Sequence, residues 1–135
     1  MLVSRTKAAS TTGLTIADGM VVELCEGSNI TVDVRDTPAL IVGDYSSNGG
    51  ASLTITGGSY KSIYANGMAV NGGSVATVLG GMIQGGETGG GMALYGDGAV
   101  ATVLGGTIQG TNYGMVVCTG AVATVCDGTI QGGES

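Results

Sequence analysis

The chain has 135 residues, of which 28 are Gly, one is Pro, five are Tyr and none is Phe, Trp or His: enough for one domain, but one whose core must do without large aromatic rings. Gly is too sparse and too irregular for collagen or a low-complexity disordered chain, and without His the commonest general base, imidazole metal ligand and triad member are all missing. Four Lys and Arg against ten Asp and Glu, a formal charge of −6, leave too few cations to neutralise a nucleic-acid backbone; no enzyme activity, no cofactor, no metal and no nucleic-acid partner are expected.

Residues 1–13 carry Ser4, Arg5, Thr6, Lys7 and Ser10 and read as a candidate N-terminal cap. Met1–Ser10 lacks an apolar h-region, and no run of about 18 apolar residues occurs, so neither a signal peptide nor a membrane span is predicted. The compartment stays open between the cell interior and a chain without its leader. From Leu14 onward, runs of three to five residues rich in Val, Ile and Thr alternate with Gly, the pattern of short strands joined by tight turns. Cys25, Cys118 and Cys126 are an odd number without metal-ligand spacing, so free thiols are expected. Asp33, Asp36 and Asp44 near Arg35 read as a solvated structural face.

An internal repeat organises most of the chain. Ala99–Gly110 reads AVATVLGGTIQG; Ser74–Gly85 (SVATVLGGMIQG) and Ala121–Gly132 (AVATVCDGTIQG) differ from it at two positions each. Weaker copies start at Ala51 and Ser28, so the starts 28, 51, 74, 99 and 121 are spaced 23, 23, 25 and 22 residues apart. A second motif recurs between them, at Gly19-Met20-Val21-Val22, Ala39-Leu40-Ile41-Val42, Gly67-Met68-Ala69-Val70, Gly91-Met92-Ala93-Leu94 and Gly114-Met115-Val116-Val117. A repeat this long with three short strands suits one triangular coil of a β-solenoid. The predicted fold is all-β: a single domain over 1–135, with coils of 22–25 residues over 14–135, about five and a half in number.

Because successive strand side chains take opposite faces, the register predicts stacked inward columns. The first wall should hold Leu14, Ile30, Leu53, Ala76, Ala101 and Ala123 beside Ile16, Val32, Ile55, Val78, Val103 and Val125. The second should align Tyr60, Ile83, Ile108 and Ile130, and the third Met20, Leu40, Met68, Met92 and Met115 beside Val22, Val42, Val70, Leu94 and Val117. Glycine pairs such as Gly57-Gly58, Gly80-Gly81 and Gly105-Gly106 should occupy one corner; Gly49-Gly50, Gly72-Gly73, Gly98 and Gly120 should occupy another, where positive φ is tolerated.

The cadence T-V-x-G-G-T-I followed by Y-G-M-x-V resembles the repeats of pectate-lyase-like parallel β-helices, and is especially similar to non-enzymatic repeat regions of bacterial surface proteins, adhesins and autotransporter passengers. The resemblance covers roughly Leu14 to Ser135. It implies a right-handed coil and an extracellular or cell-surface setting, but no activity, because the same coil serves lyases, tail spikes, adhesins and ice binders. The calcium-binding acidic cluster with a basic catalytic residue, or the grouped aspartates, of its enzymatic members have no clear counterpart here.

Function is therefore expected on outward positions. The triplets Asn29/Thr31/Asp33, Ser52/Thr54/Thr56, Val75/Thr77/Leu79, Val100/Thr102/Leu104 and Val122/Thr124/Cys126 change from polar to apolar along the axis. An exposed Val/Leu wall of that size marks a partner surface, so self-association through it, as a homo-oligomer or filament, is the leading expectation. An outward Thr column (Thr15, Thr31, Thr54, Thr77, Thr102 and Thr124) raises ice binding as a minor alternative, although only Thr54-Ile55-Thr56 shows the paired Thr-x-Thr. Gln84, Gln109 and Gln131 should stack as an amide ladder and, with Tyr95 and Tyr113, form a candidate carbohydrate-binding face. The last repeat stops after two of three strands with no visible cap, which suggests either a fragment of a longer array or an open edge that accepts another subunit.

Overall fold

The computed structural model describes residues 3–6, 9–10, 13–43 and 50–132, with side-chain burial over 13–43 and 50–132. It contains no helix among these residues and forms a parallel β-solenoid of about five turns built from three sheets. The first sheet stacks Val3–Thr6, Val21–Leu24, Ser52–Ile55, Val75–Val78, Val100–Val103 and Val122–Val125. The second stacks Ala9–Ser10, Asn29–Val32, Ser59–Ser62, Met82–Gln84, Thr107–Gln109 and Thr129–Gln131. The third stacks Leu14–Ile16, Leu40–Val42, Met68–Val70, Gly90–Leu94 and Tyr113–Val117. Val3–Thr6 and Ala9–Ser10 already pair in the first two sheets, so the segment expected to cap the coils contributes strands to them.

Each strand is held by parallel ladders to the coils before and after it, and its alternate residues fall into columns. On the first sheet Val22, Leu53, Ala76, Ala101 and Ala123 stack beside Leu24, Ile55, Val78, Val103 and Val125. On the second, Ile30, Tyr60, Ile83, Ile108 and Ile130 form one column. On the third, Leu14, Leu40, Met68, Met92 and Met115 lie beside Ile16, Val42, Val70, Leu94 and Val117. Most of these residues are completely buried and form one continuous aliphatic core, so the missing aromatic rings leave no deficit in a shaft this narrow.

The columns depart from expectation in the first two coils. Leu14 and Ile16 belong to the third sheet, not the first; Ile30 and Val32 belong to the second; and Val22 belongs to the first, while Met20 is an exposed turn residue. The cause is uneven coil length. The aligned residues Val3, Val21, Ser52, Val75, Val100 and Val122 are separated by 18, 31, 23, 25 and 22 residues, so the 23-residue spacing propagated backward from the later coils lands one sheet off.

The predicted glycine corners are in place. Gly58, Gly81, Gly106 and Gly128 turn from the first sheet to the second, and Gly50, Gly73, Gly98 and Gly120 from the third to the first, all at positive φ; Gly49 lies outside the described residues. At Gly81 the requirement is double. Its φ is +89, and a Cβ there would stand 2.8 Å from the Gly58 carbonyl oxygen of the coil below.

Buried polar groups brace the corners as well. Ser62 Oγ donates to the Thr37 carbonyl at 2.7 Å and accepts from the Ala65 amide; Ser74 Oγ accepts from the Ala51 amide at 3.0 Å; and Asn71 Nδ2 donates to the Gly43 carbonyl at 2.9 Å. Tyr60, the one fully buried ring among the described residues, donates its hydroxyl to the Gly57 carbonyl at 2.6 Å. Burial pushes its phenol above the ordinary value of 10.0, opposed by a hydrogen bond with Ser28 and reinforced by Cys25. The fold thus holds the Tyr60 proton more tightly than the unfolded chain does. The associated stability is complete below about pH 10 and is lost as pH rises through the raised folded value. Tyr60→Phe should cost about 1–2 kcal/mol at neutral pH through the lost hydroxyl bond and should make alkaline unfolding shallower, as read by urea titrations at neutral and alkaline pH. An unchanged alkaline slope would show that Tyr60 is not the group concerned.

Candidate functional site

The outer face of the first sheet carries the predicted wall. Val75, Thr77, Val100, Thr102, Val122 and Thr124 stack in two columns by direct register, and Leu79, Leu104 and Cys126 follow in a third through their amide bonds to Ile55, Val78 and Val103. The wall is open: Val75 is 37%, Leu79 45%, Leu104 43% and Val122 56% exposed. Its lower end differs from expectation. Asn29, Thr31 and Asp33 lie on or beside the second sheet, and the coil beneath Ser52/Thr54/Thr56 presents Val21, Glu23 and Cys25 instead. Beside Val21, Ser52 and Val75 the wall is continuous with a shallow groove of about 420 Å³, whose rim includes Met20. Ridge and groove therefore share one face.

The Thr column is shorter than expected. Thr54, Thr77, Thr102 and Thr124 align over Glu23, whereas Thr15 pairs with Ile41 on the third sheet and Thr31 with Lys61 on the second. A charged residue at one end and Leu79 and Leu104 in the adjoining column leave no flat two-column Thr surface.

The residues expected to form a carbohydrate-binding face separate into two places. Gln84, Gln109 and Gln131 stack on the second sheet above Lys61, as predicted, but among the described residues no side-chain hydrogen bond joins their amides. Tyr95 and Tyr113 instead come together at the third sheet. Tyr95 leaves that sheet at its C-terminal edge, yet its hydroxyl accepts a hydrogen bond from Asn66 Nδ2, 3.1 Å away at the opposite edge. The ring must therefore run across the outer face of the sheet, over Ala69 and Ala93, which point outward but are wholly buried. Asn66 is held in turn by the Gly90 amide, which donates to its Oδ1 at 2.8 Å.

Tyr113 pairs with Gly90, and its ring occupies the space a Cβ on Gly90 would need. Burial, with smaller contributions from Tyr95 and Cys118, raises the Tyr113 phenol above its ordinary value. Between the two rings and the turns facing them lies a cleft of about 340 Å³, lined by Asp36, Pro38, Asn66, Thr88, Tyr95 and Tyr113 among others. Asp36 is the one non-glycine residue at positive φ among the described residues, at 59°. Its neighbour Arg35 lies 4.7 Å over the ring of Tyr64, and Thr88 Oγ1 donates to the Tyr64 carbonyl at 2.7 Å. Sequence reading singled out both tyrosines but not the pocket. The available signal was the small outward Ala69 and Ala93, at a position where Ile41 and Val116 stand in other coils.

Of the acids expected to form a solvated face, Asp33 and Asp36 are exposed and Asp44 lies outside the described residues. Among the described residues no group of three or more His, Cys, Asp or Glu side chains converges on a common point, and Cys25, Cys118 and Cys126 form no disulfide. Among the described residues no helix is long and apolar enough to cross a membrane. Comparison with protein-family models, with curated proteins and with solved structures gives no match for this chain.

Proposed function

We propose that this chain is a non-enzymatic structural module that associates with copies of itself through the outer wall of its first sheet, in a surface or filamentous assembly of the kind the β-helix resemblance implies. The observation that carries this reading is the contiguous exposure of Val75, Leu79, Leu104 and Val122, an apolar strip that soluble monomers seldom leave uncovered. A second copy is favoured as occupant because the same face offers an apolar ridge on its later coils and a groove beside Met20 and Val21 on its earlier ones. A two-fold related copy running the opposite way would seat each ridge in the other's groove.

Five strands spaced about 4.8 Å apart and about 16 Å long give a face of about 400 Å², half the usual ~800 Å² per partner. Association is accordingly expected in the micromolar range and should be visible as a concentration-dependent mass in light scattering. Cys126, exposed on the wall, should react with a maleimide more slowly as protein concentration rises. A chain that remains monomeric at high micromolar concentration, with constant Cys126 labelling, would overturn the proposal.

A further inference from the structure

We propose that the cleft between Tyr95 and Tyr113 is a binding site for a single neutral sugar ring, independent of the self-association surface on the first sheet. At about 340 Å³ the cleft is near the lower end of the size range of small-molecule sites, which suits one ring rather than an extended chain. Its lining is amphipathic in the way a pyranose requires. Two phenol rings offer apolar surface for the C–H faces of the sugar, while Asp36 contributes a carboxylate that accepts hydrogen bonds from adjacent hydroxyls. Asp36 is also the charged residue of the lining, and the chain carries a net −6, so an anionic ligand is repelled.

The walls are set in advance. Asn66 links the Tyr95 hydroxyl to the Gly90 amide, and Tyr113 is seated on the bare Gly90 backbone. Little side-chain order remains to be gained on binding. The Gln84, Gln109 and Gln131 ladder belongs to another face and takes no part.

The test is a titration with the methyl glycosides of glucose, galactose and mannose, followed through the ring resonances of the five tyrosines. Sodium glucuronate and tetramethylammonium serve as the anionic and cationic probes. At least one neutral glycoside should move Tyr95 and Tyr113 while Tyr60, sealed in the core, stays still, with a Kd of about a millimolar as expected for one ring. Tyr113→Ala and Asp36→Ala should each weaken binding about tenfold or more, the loss expected of a well-placed contact, with the exposed Asp36→Ala variant still folded and its melting temperature lowered only by the small cost of an alanine at positive φ. The inference is overturned if none of the glycosides shifts these rings, if either charged probe binds more tightly than all of them, or if Asp36→Ala binds as the parent does. None of these results depends on whether the chain self-associates.

Discussion

Gly86→Ala is expected to destabilise the solenoid by at least about 4 kcal/mol, a large share of the ~5–15 kcal/mol that holds a domain folded. Gly86 lies in the turn leading from the second sheet to the third, and its amide donates to the Ala65 carbonyl at 2.9 Å. A Cβ there would overlap the carbonyl carbon and oxygen of Ile63 in the coil below. Both are backbone atoms already engaged in coil stacking, since the Ile63 carbonyl accepts the Glu87 amide at 2.9 Å. No rotamer can relieve the overlap, so the coils must separate.

Gly19→Ala is the contrasting case. Gly19 has φ +84, but nothing lies within 4 Å of a Cβ built on it, so the cost should be only the ~1–2 kcal/mol of a left-handed alanine. Urea unfolding monitored by far-ultraviolet circular dichroism would measure both. Equal losses for the two variants would mean that backbone conformation, not the distance between coils, sets the demand for glycine.

The second large effect concerns the wall. Replacing Leu79 and Leu104 together by Lys should weaken self-association by about 100-fold or more, because each loses an apolar contact of ~1–2 kcal/mol and leaves a charge to be desolvated without a partner. Both residues point into solvent in the single chain, so folding stability should change by only about 0.5 kcal/mol. Gln84→Lys with Gln109→Lys, on the second sheet, adds the same two charges away from the wall and should leave the association constant unaltered. Sedimentation velocity over a concentration series separates the cases. If this control weakens assembly as much as the wall variant, the change in net charge rather than its place is responsible and the wall is not the contact.

The later coils were legible because their repeats are nearly identical. In-register stacking of parallel coils then aligns like with like, as in Ala76 on Ala101 on Ala123 and Ile83 on Ile108 on Ile130. The cleft was not legible. It depends on Tyr95 lying back over Ala69 and Ala93 to meet Asn66, and no local pattern states which way an outward ring lies. The wall was readable in its upper coils, where neighbours share a repeat, and misread below them, where Val21, Glu23 and Cys25 replace the expected Asn29, Thr31 and Asp33.

Gly19–Val22 and Gly114–Val117 spell the same four residues, yet the second lies within a strand of the third sheet while the first turns the corner into the first sheet, with Gly19 at positive φ. Sequence alone determined the all-β solenoid, its glycine corners and which side of each strand faces inward, because these follow from side-chain alternation and local backbone freedom. Only the tertiary structure decided which sheet each early strand joins and which outward residues meet. Sheet membership depends on the coils stacked above and below, and coils of 18 and 31 residues shift that stacking without altering any local pattern.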